Sequence, residues 1–374
     1  MIQQWLRNNL KGDYQIWVIV FIFSVLSMAL VYSATGAMAF KAMQNPLKYL
    51  FKHAMLTFAG LFLMWFVHRM EFGIFSVISQ FLLWLSVPLL LYAFAKGYTS
   101  GGASRWITIP LINQTFQPSD LAKLALIARL AAMLSKRQKT EYAPKLMIPM
   151  ILWCGIICML IALSNFSTAA MLAFTCFLLM LIGRVPLRYL SMLIAICLVL
   201  GGIGLVAGQR FGTFMGRIGR FITSFSDTKG LDYQAQQAYI AITNGSWTGL
   251  GPGHSLQRNF LPEPFSDFIY ATLIEEYGLL GGVVVLGLYI WLLYRGIKIV
   301  LESNRAFGAL LSAGLASSLV LQAMFHICVN VGLLPITGQP LPLISMGGTS
   351  MIFNCISIGL ILSVSRAAQE NKLV

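Results

Sequence analysis

Long apolar runs separated by short polar breaks recur from one end of this chain to the other. A helix needs about 20 apolar residues to cross the hydrocarbon core of a bilayer. On that measure the pattern predicts ten spanning helices, near residues 15–35, 49–67, 74–95, 118–135, 146–163, 168–183, 188–208, 268–294, 306–331 and 348–366. The expected fold is therefore an all-α integral membrane protein with about ten transmembrane helices, forming one polytopic domain over residues 1–374 with no room for a soluble domain of ordinary size. The first run, Ile16 to Val31, ends without a small-residue cleavage pattern and reads as a retained anchor.

Three segments between the runs stand out. Residues 97–117 and the large loop 209–267 fall on one side of the membrane. Within the large loop, the tract from Tyr233 to Ala241 reads as an amphipathic helix lying on the outer surface, with Ala238, Ile240 and Ala241 facing lipid or protein. The glycine-rich stretch from Gly249 to Ser255 resembles a phosphate-cradling loop. No strand precedes it and Pro252 removes a donor, so a plain turn is the better reading. The third segment, Gly332 to Gly348, is too apolar for a solvated loop and too rich in Pro and Gly for a helix. Backbone of that kind survives at membrane depth only when buried in protein or lining a cavity, so a re-entrant outer segment is expected. No internal repeat and no pair of broken helices is evident.

Charge orients the chain. Of its residues 58% are hydrophobic and 10% charged, with a formal net charge of +14. The basic residues sit in short loops between apolar runs, which argues for the positive-inside rule and against nucleic-acid binding. Arg7, Lys11, Arg69, Lys136, Arg137, Lys139, Lys145, Arg184, Arg188, Arg295, Lys298, Arg305, Arg366 and Lys372 fall on one side, whereas the short loops opposite hold Lys41, Lys48, Lys52, Lys96 and Arg105. Both termini are thus expected in the cytoplasm. All six cysteines lie inside apolar runs, where small apolar packing is a better reading than disulfides or a metal site. The four histidines lack ligand spacing.

Against so apolar a background, carboxylates at a membrane boundary mark a candidate site. Glu263 and Asp267 lead directly into the helix that carries Glu275 and Glu276. The fourth helix begins QPSDLAKLALIAR, with Pro in its first turn, Asp120 and Lys123 three apart on one face, and Arg129 deeper. An intrahelical ion pair is the plain reading of Asp120 and Lys123; a functional role is the stronger one. Polar groups gather where the outer segments meet the membrane: Arg105, Asp120, Lys123, Arg217, Arg220, Lys229, Asp232, Glu263 and Asp267. Cations beside carboxylates suggest group transfer from a lipid-linked phosphate, the cations holding the phosphate and an acid handling a proton.

Five segments in order resemble one family. They are GGASRWI (101–107), QPSDLAKLALI (117–127), YQAQQAYIAITNGSWTGLGPGHS (233–255), LPEPFSDFIYATLIEEYGLLGG (261–282) and GLLPITGQPLPLISMGGTS (332–350). The chain is similar over nearly its whole length to the SEDS peptidoglycan glycosyltransferases of the FtsW and RodA type, with LPITGQPLPLISMGGTS and IEEYG leaning toward FtsW. The resemblance implies polymerisation of lipid II into glycan strands on the outer face of the bacterial inner membrane, with release of undecaprenyl diphosphate. By the same resemblance Asp267 is the candidate general base, and Asp120, Lys123 and Glu263 support substrate binding. Arg105, Arg217 and Arg220 become diphosphate binders. A divalent cation, Mg or Mn, is implied with no readable ligand set. The implied partners are a class B penicillin-binding protein and other divisome proteins.

The chain departs from the family pattern at several positions. Asp120 replaces a glutamate, Asn165 stands at the aspartate of the PDLGT segment, and His326 and Cys328 replace an asparagine and a glycine. Met346 replaces the tyrosine of SYGGSS. A RodA-type elongation polymerase, a lipid II flippase and an inactive scaffold are the competing readings. The charges concentrate on the outer side, which favours an outward-facing enzyme.

Overall fold

The computed structural model describes residues 10–41, 45–100, 103–109, 114–138, 144–208, 211–223 and 232–370. Lys229 and the orienting residues Arg7, Lys139 and Lys372 lie outside these, as does the side chain of Lys41. Twelve α-helices are found among the described residues. They are α1 (Tyr14–Lys41), α2 (Pro46–Arg69), α3 (Phe75–Lys96), α4 (Pro118–Arg137), α5 (Pro144–Ala162), α6 (Phe166–Ile182), α7 (Leu187–Ala207), α8 (Phe211–Thr223), α9 (Tyr233–Gly245), α10 (Ile269–Glu302), α11 (Ala306–Asn330) and α12 (Thr349–Glu370). All ten predicted spans have a helix at their position, and α9 is the expected surface helix; α8 was not anticipated.

Eight of the helices are long and apolar enough to cross a membrane by length and composition. The other two predicted spans are α4, rich in charge, and α6, with 17 residues. Helix α4 escapes the cost of its charges by position. It packs against α3, α5, α6, α11 and α12, and nearly its whole first three turns are buried. Protein rather than lipid surrounds its polar start.

The segment after α3 adds a small antiparallel sheet in the order β1-β2-β3, with β1 at Tyr98–Ser100, β2 at Ala103–Ile109 and β3 at Gln114–Phe116. Tyr98 pairs with Trp106 and Ile107 with Phe116, a run of β-branched and aromatic residues suited to strands. The sequence pattern assigns that loop no secondary structure, and the sheet is the small exception in an otherwise helical fold.

Helix α10 is not continuous. Gly278 has φ +73° and ψ −179°, which breaks the helix. The break is filled by the loop after α9: Leu250 N and Gly251 N donate to the Glu275 and Glu276 carbonyls at 2.9 and 3.0 Å, and Leu279 N donates to the Ser246 carbonyl at 2.9 Å. The glycine-rich stretch is thus the turn that seals a broken helix, within a span that the apolar pattern reads as one continuous run.

The segment between α11 and α12 is non-helical and buried over residues 341–345, as expected of a re-entrant element. Four of its carbonyls are capped by neighbouring side chains. His326 Nδ1 donates to Gln339 O at 2.7 Å, Gln322 Nε2 to Pro340 O at 2.9 Å and Ser27 Oγ to Ile344 O at 2.7 Å, while the Tyr289 hydroxyl donates to Pro342 O. Buried backbone acceptors need such partners.

Candidate functional site

The re-entrant segment, the start of α4 and the residues leading into α10 enclose a cavity of about 360 Å³. Arg105 and Trp106 enter it from β2, Asp120 and Lys123 from α4, Arg217 from α8, and Glu263 and Asp267 from the approach to α10. Gln322 of α11 and Gly338 to Pro340 complete the wall, with Lys52 of α2 at the exposed side. Residues scattered over more than two hundred positions of sequence are thus brought into one polar chamber. Arg220 is not among its lining residues. It pairs with Asp232 at 3.2 Å, beside a smaller pocket that Arg217 shares.

Asp267 is half-buried, and its surroundings fix its backbone. Its N–H donates to Glu263 O at 3.2 Å, and Asn330 Nδ2 donates to its carbonyl at 3.2 Å. Ser266 Oγ donates to Oδ1 at 3.2 Å. Gly338 approaches from the re-entrant segment with φ +65°, and a Cβ there would lie 3.1 Å from Asp267 Oδ2. Glycine both adopts that backbone and leaves the carboxylate room.

Charges in the chamber act on one another. Burial lowers the Arg105 pKa from its ordinary value, Asp267 and Glu263 oppose that shift, and Arg217 adds to it. Arg105 Nε is buried without a hydrogen-bond partner, so this guanidinium is poised for an incoming anion. Arg217 is lowered by burial against the pull of Asp232 and Asp267, and its Nη1 donates to Ile336 O at 3.1 Å. Burial raises the Glu263 carboxyl, Asp267 raises it further, and Arg105 opposes both. Asp120 and Lys123 form the plain intrahelical ion pair at 2.8 Å, yet both also face the cavity. Arg129 does not line it.

Glu275 and Glu276, expected to belong to the site, serve the loop that seals α10. Glu275 accepts from Ser255 Oγ and from the N–H groups of Leu256 and Gln257, the latter two at 3.2 Å. Glu276 accepts from Ser33 Oγ of α1. Of the departures from the family pattern, Asn165 caps α6 by accepting from Thr168 N at 3.4 Å. His326 holds the re-entrant carbonyl described above, and Met346 lines the cavity. Lys52, read from sequence only as an orienting charge, and Gln322 and Gln339, not singled out at all, are cavity residues that sequence reasoning missed. The available signal was polar side chains within apolar helices and a re-entrant segment.

Among the described residues no three His, Cys, Asp or Glu side chains come together as a metal-ligand set. Glu263 and Asp267 both line the chamber, and one or two carboxylates together with substrate phosphates are the donor set a hard cation takes.

The fold and this chamber define a class: polytopic membrane proteins with a charged cavity built from the segments between their helices. The FtsW/RodA/SpoVE family model, described as cell cycle protein, matches residues 13–370, and the chain belongs to that family. It is 32% identical over 374 residues to a probable peptidoglycan glycosyltransferase FtsW of Coxiella burnetii, covering 96% of this chain and 98% of that one. It is 30% identical over 365 residues to the stage V sporulation protein E of Bacillus subtilis, covering 95% and 97%. Among solved structures, the rod shape determining protein RodA of Thermus thermophilus superposes with a TM-score of 0.69 at 24% identity, covering 96% of this chain and 98% of that one. A chain from a peptidoglycan synthase complex that coordinates polymerization and crosslinking gives 0.73 at 24% identity, with the same coverage. These two likenesses establish the shared fold.

Proposed function

We propose that this protein is a peptidoglycan glycosyltransferase that polymerises lipid II on the outer face of the bacterial inner membrane, in the septal, FtsW-like role. The observation that carries this reading is the convergence of Asp267 with Arg105, Lys123 and Arg217 on one cavity. Family membership and relatives named for this activity support it. Both termini lie in the cytoplasm in this reading, and a class B penicillin-binding protein is the partner, supported by the likeness to a chain from a synthase complex that also crosslinks.

In the reaction, an Asp267 carboxylate oxygen accepts the proton of the acceptor sugar hydroxyl as that oxygen attacks the anomeric carbon of the donor. The bond from that carbon to the diphosphate breaks, and its electron pair leaves with the undecaprenyl diphosphate. Arg105, Lys123 and Arg217 bind the departing anion, the guanidinium groups in bidentate fashion. Trp106 and the re-entrant wall keep bulk water off the reacting centre. Glu263 and Asp267 are the residues that would hold a divalent cation, which when bound neutralises diphosphate charge. Arg220, engaged with Asp232, acts on the site only through Arg217.

Asp267→Asn tests the assignment. The purified variant, given lipid II and the partner transpeptidase, is expected to make no glycan strands while expressing and melting like the parent. Full polymerisation by that variant removes Asp267 from the role of base.

A further inference from the structure

At the floor of the cavity, α4 and α11 meet through a polar relay that ties Lys123 to Gln322, a residue no step above uses. Lys123 Nζ lies 2.8 Å from Asp120 Oδ1 and donates to Gln322 Oε1 at 3.3 Å. Gln322 Nε2 in turn donates to Pro340 O, in the re-entrant segment that brings Gly338 against Asp267. The amide orientation is forced, since an ammonium offers only donors and a carbonyl only accepts. Gln322 is 4% exposed. With Asp120 and Lys123 it lines both the main cavity and a small buried pocket of about 20 Å³. The three side chains therefore form the partition beneath the chamber.

We propose that Gln322 is a positioning residue for the glycosyl transfer. Its amide oxygen holds the Lys123 ammonium at the floor without adding charge, and its NH2 fastens the re-entrant wall. The floor then carries one ammonium and one carboxylate, neutral toward an incoming diphosphate. A carboxylate at 322 would make it net anionic and set a second competitor on the ammonium. This inference rests on the lipid-diphosphate reading of the site.

The test measures initial rates of strand formation against lipid II concentration, using the purified full chain with its transpeptidase partner. Gln322→Glu keeps an acceptor for Lys123, adds a carboxylate and loses the donor to Pro340 O, so it is expected to raise KM about tenfold and to lower kcat about tenfold. Gln322→Leu, which breaks both tethers while keeping the bulk and adding no charge, is expected to lower kcat by about tenfold with KM raised no more than about threefold. In the double variant Asp120→Asn/Gln322→Glu the floor again holds a single carboxylate, and KM returns to within about threefold of the parent. That recovery is opposite to the additive damage expected of two packing defects. Equal effects of the Glu and Leu variants on KM, or a double variant with a KM higher than that of Gln322→Glu alone, would overturn the proposal. If the parent polymerises and Lys123→Ala raises KM while Gln322→Glu behaves as parent, only the role of Gln322 is lost. If Lys123→Ala leaves KM unchanged, the diphosphate reading falls as well.

Discussion

Glu263 stands at the exposed side of the chamber with its carboxyl held above the ordinary value of 4.5, first by desolvation and then by Asp267. A carboxylate whose folded-state pKa is raised favours the folded state at low pH and loses that contribution as pH rises through the folded value. Replacing it with a neutral isostere should therefore stabilise the protein at neutral pH and not in acid. Glu263→Gln is expected to melt higher than the parent at pH 7–8, with the difference gone at pH 4.5 and below. A thermal scan in detergent across that range checks this, and a pH-independent difference would mean that the carboxyl is not destabilised where it sits. The most chemically telling residues, Asp267, Lys123 and Arg105, were legible in the sequence because charge is scarce in so apolar a chain. Gln322 and Lys52 were not. One uncharged amide inside a long apolar helix carries no mark of its partners, and a lysine near the start of a spanning helix satisfies the orientation rule before it suggests anything else.

At the scale of elements, α10 shows what an apolar pattern hides. The stretch around Gly278 reads as continuous helix because its flanks are apolar on both sides. The break needs a partner loop to supply the missing hydrogen bonds, and nothing local to the helix announces that loop. The two backbones approach so closely that a Cβ on Gly249 would lie 2.2 Å from Glu276 O, and one on Gly278 would lie 2.2 Å from Trp247 O. Both glycines also have positive φ, +81° and +73°. Gly249→Ala and Gly278→Ala are each expected to cost about 3 kcal/mol or more, enough to abolish accumulation of folded protein. Gly253→Ala, where a Cβ meets open space, bears only the strain of φ +79° and should fall well short of that. Similar melting of all three would mean that the seal contributes little. The strands β1 and β3 escaped notice for another reason: three residues apiece leave no periodicity to detect.

For the molecule as a whole, the order and position of the helices at the ten predicted spans were legible because each apolar run is long and each break is short. The enclosure of the site was not, since it depends on long-range contacts among β2, α4, α8, α10 and the re-entrant segment. The proposed orientation has a direct check. The six cysteines all lie within helices and are buried or half-buried. His254 and Lys145 are exposed on segments assigned to opposite sides. His254→Cys is expected to react with an impermeant maleimide in intact cells, and Lys145→Cys only after lysis; the reverse labelling would invert the topology.

The capped carbonyls between α11 and α12 also impose an order of assembly. Their donors come from Ser27 on the first helix, Tyr289 on the tenth, and Gln322 and His326 on the eleventh. Until those three helices have met, the segment has no shelter in lipid for its bare acceptors. Its final seating therefore reports that the bundle is complete, and Asp267 gains its Gly338 neighbour at that same moment. A half-built chain carries the acid but not the enclosure around it.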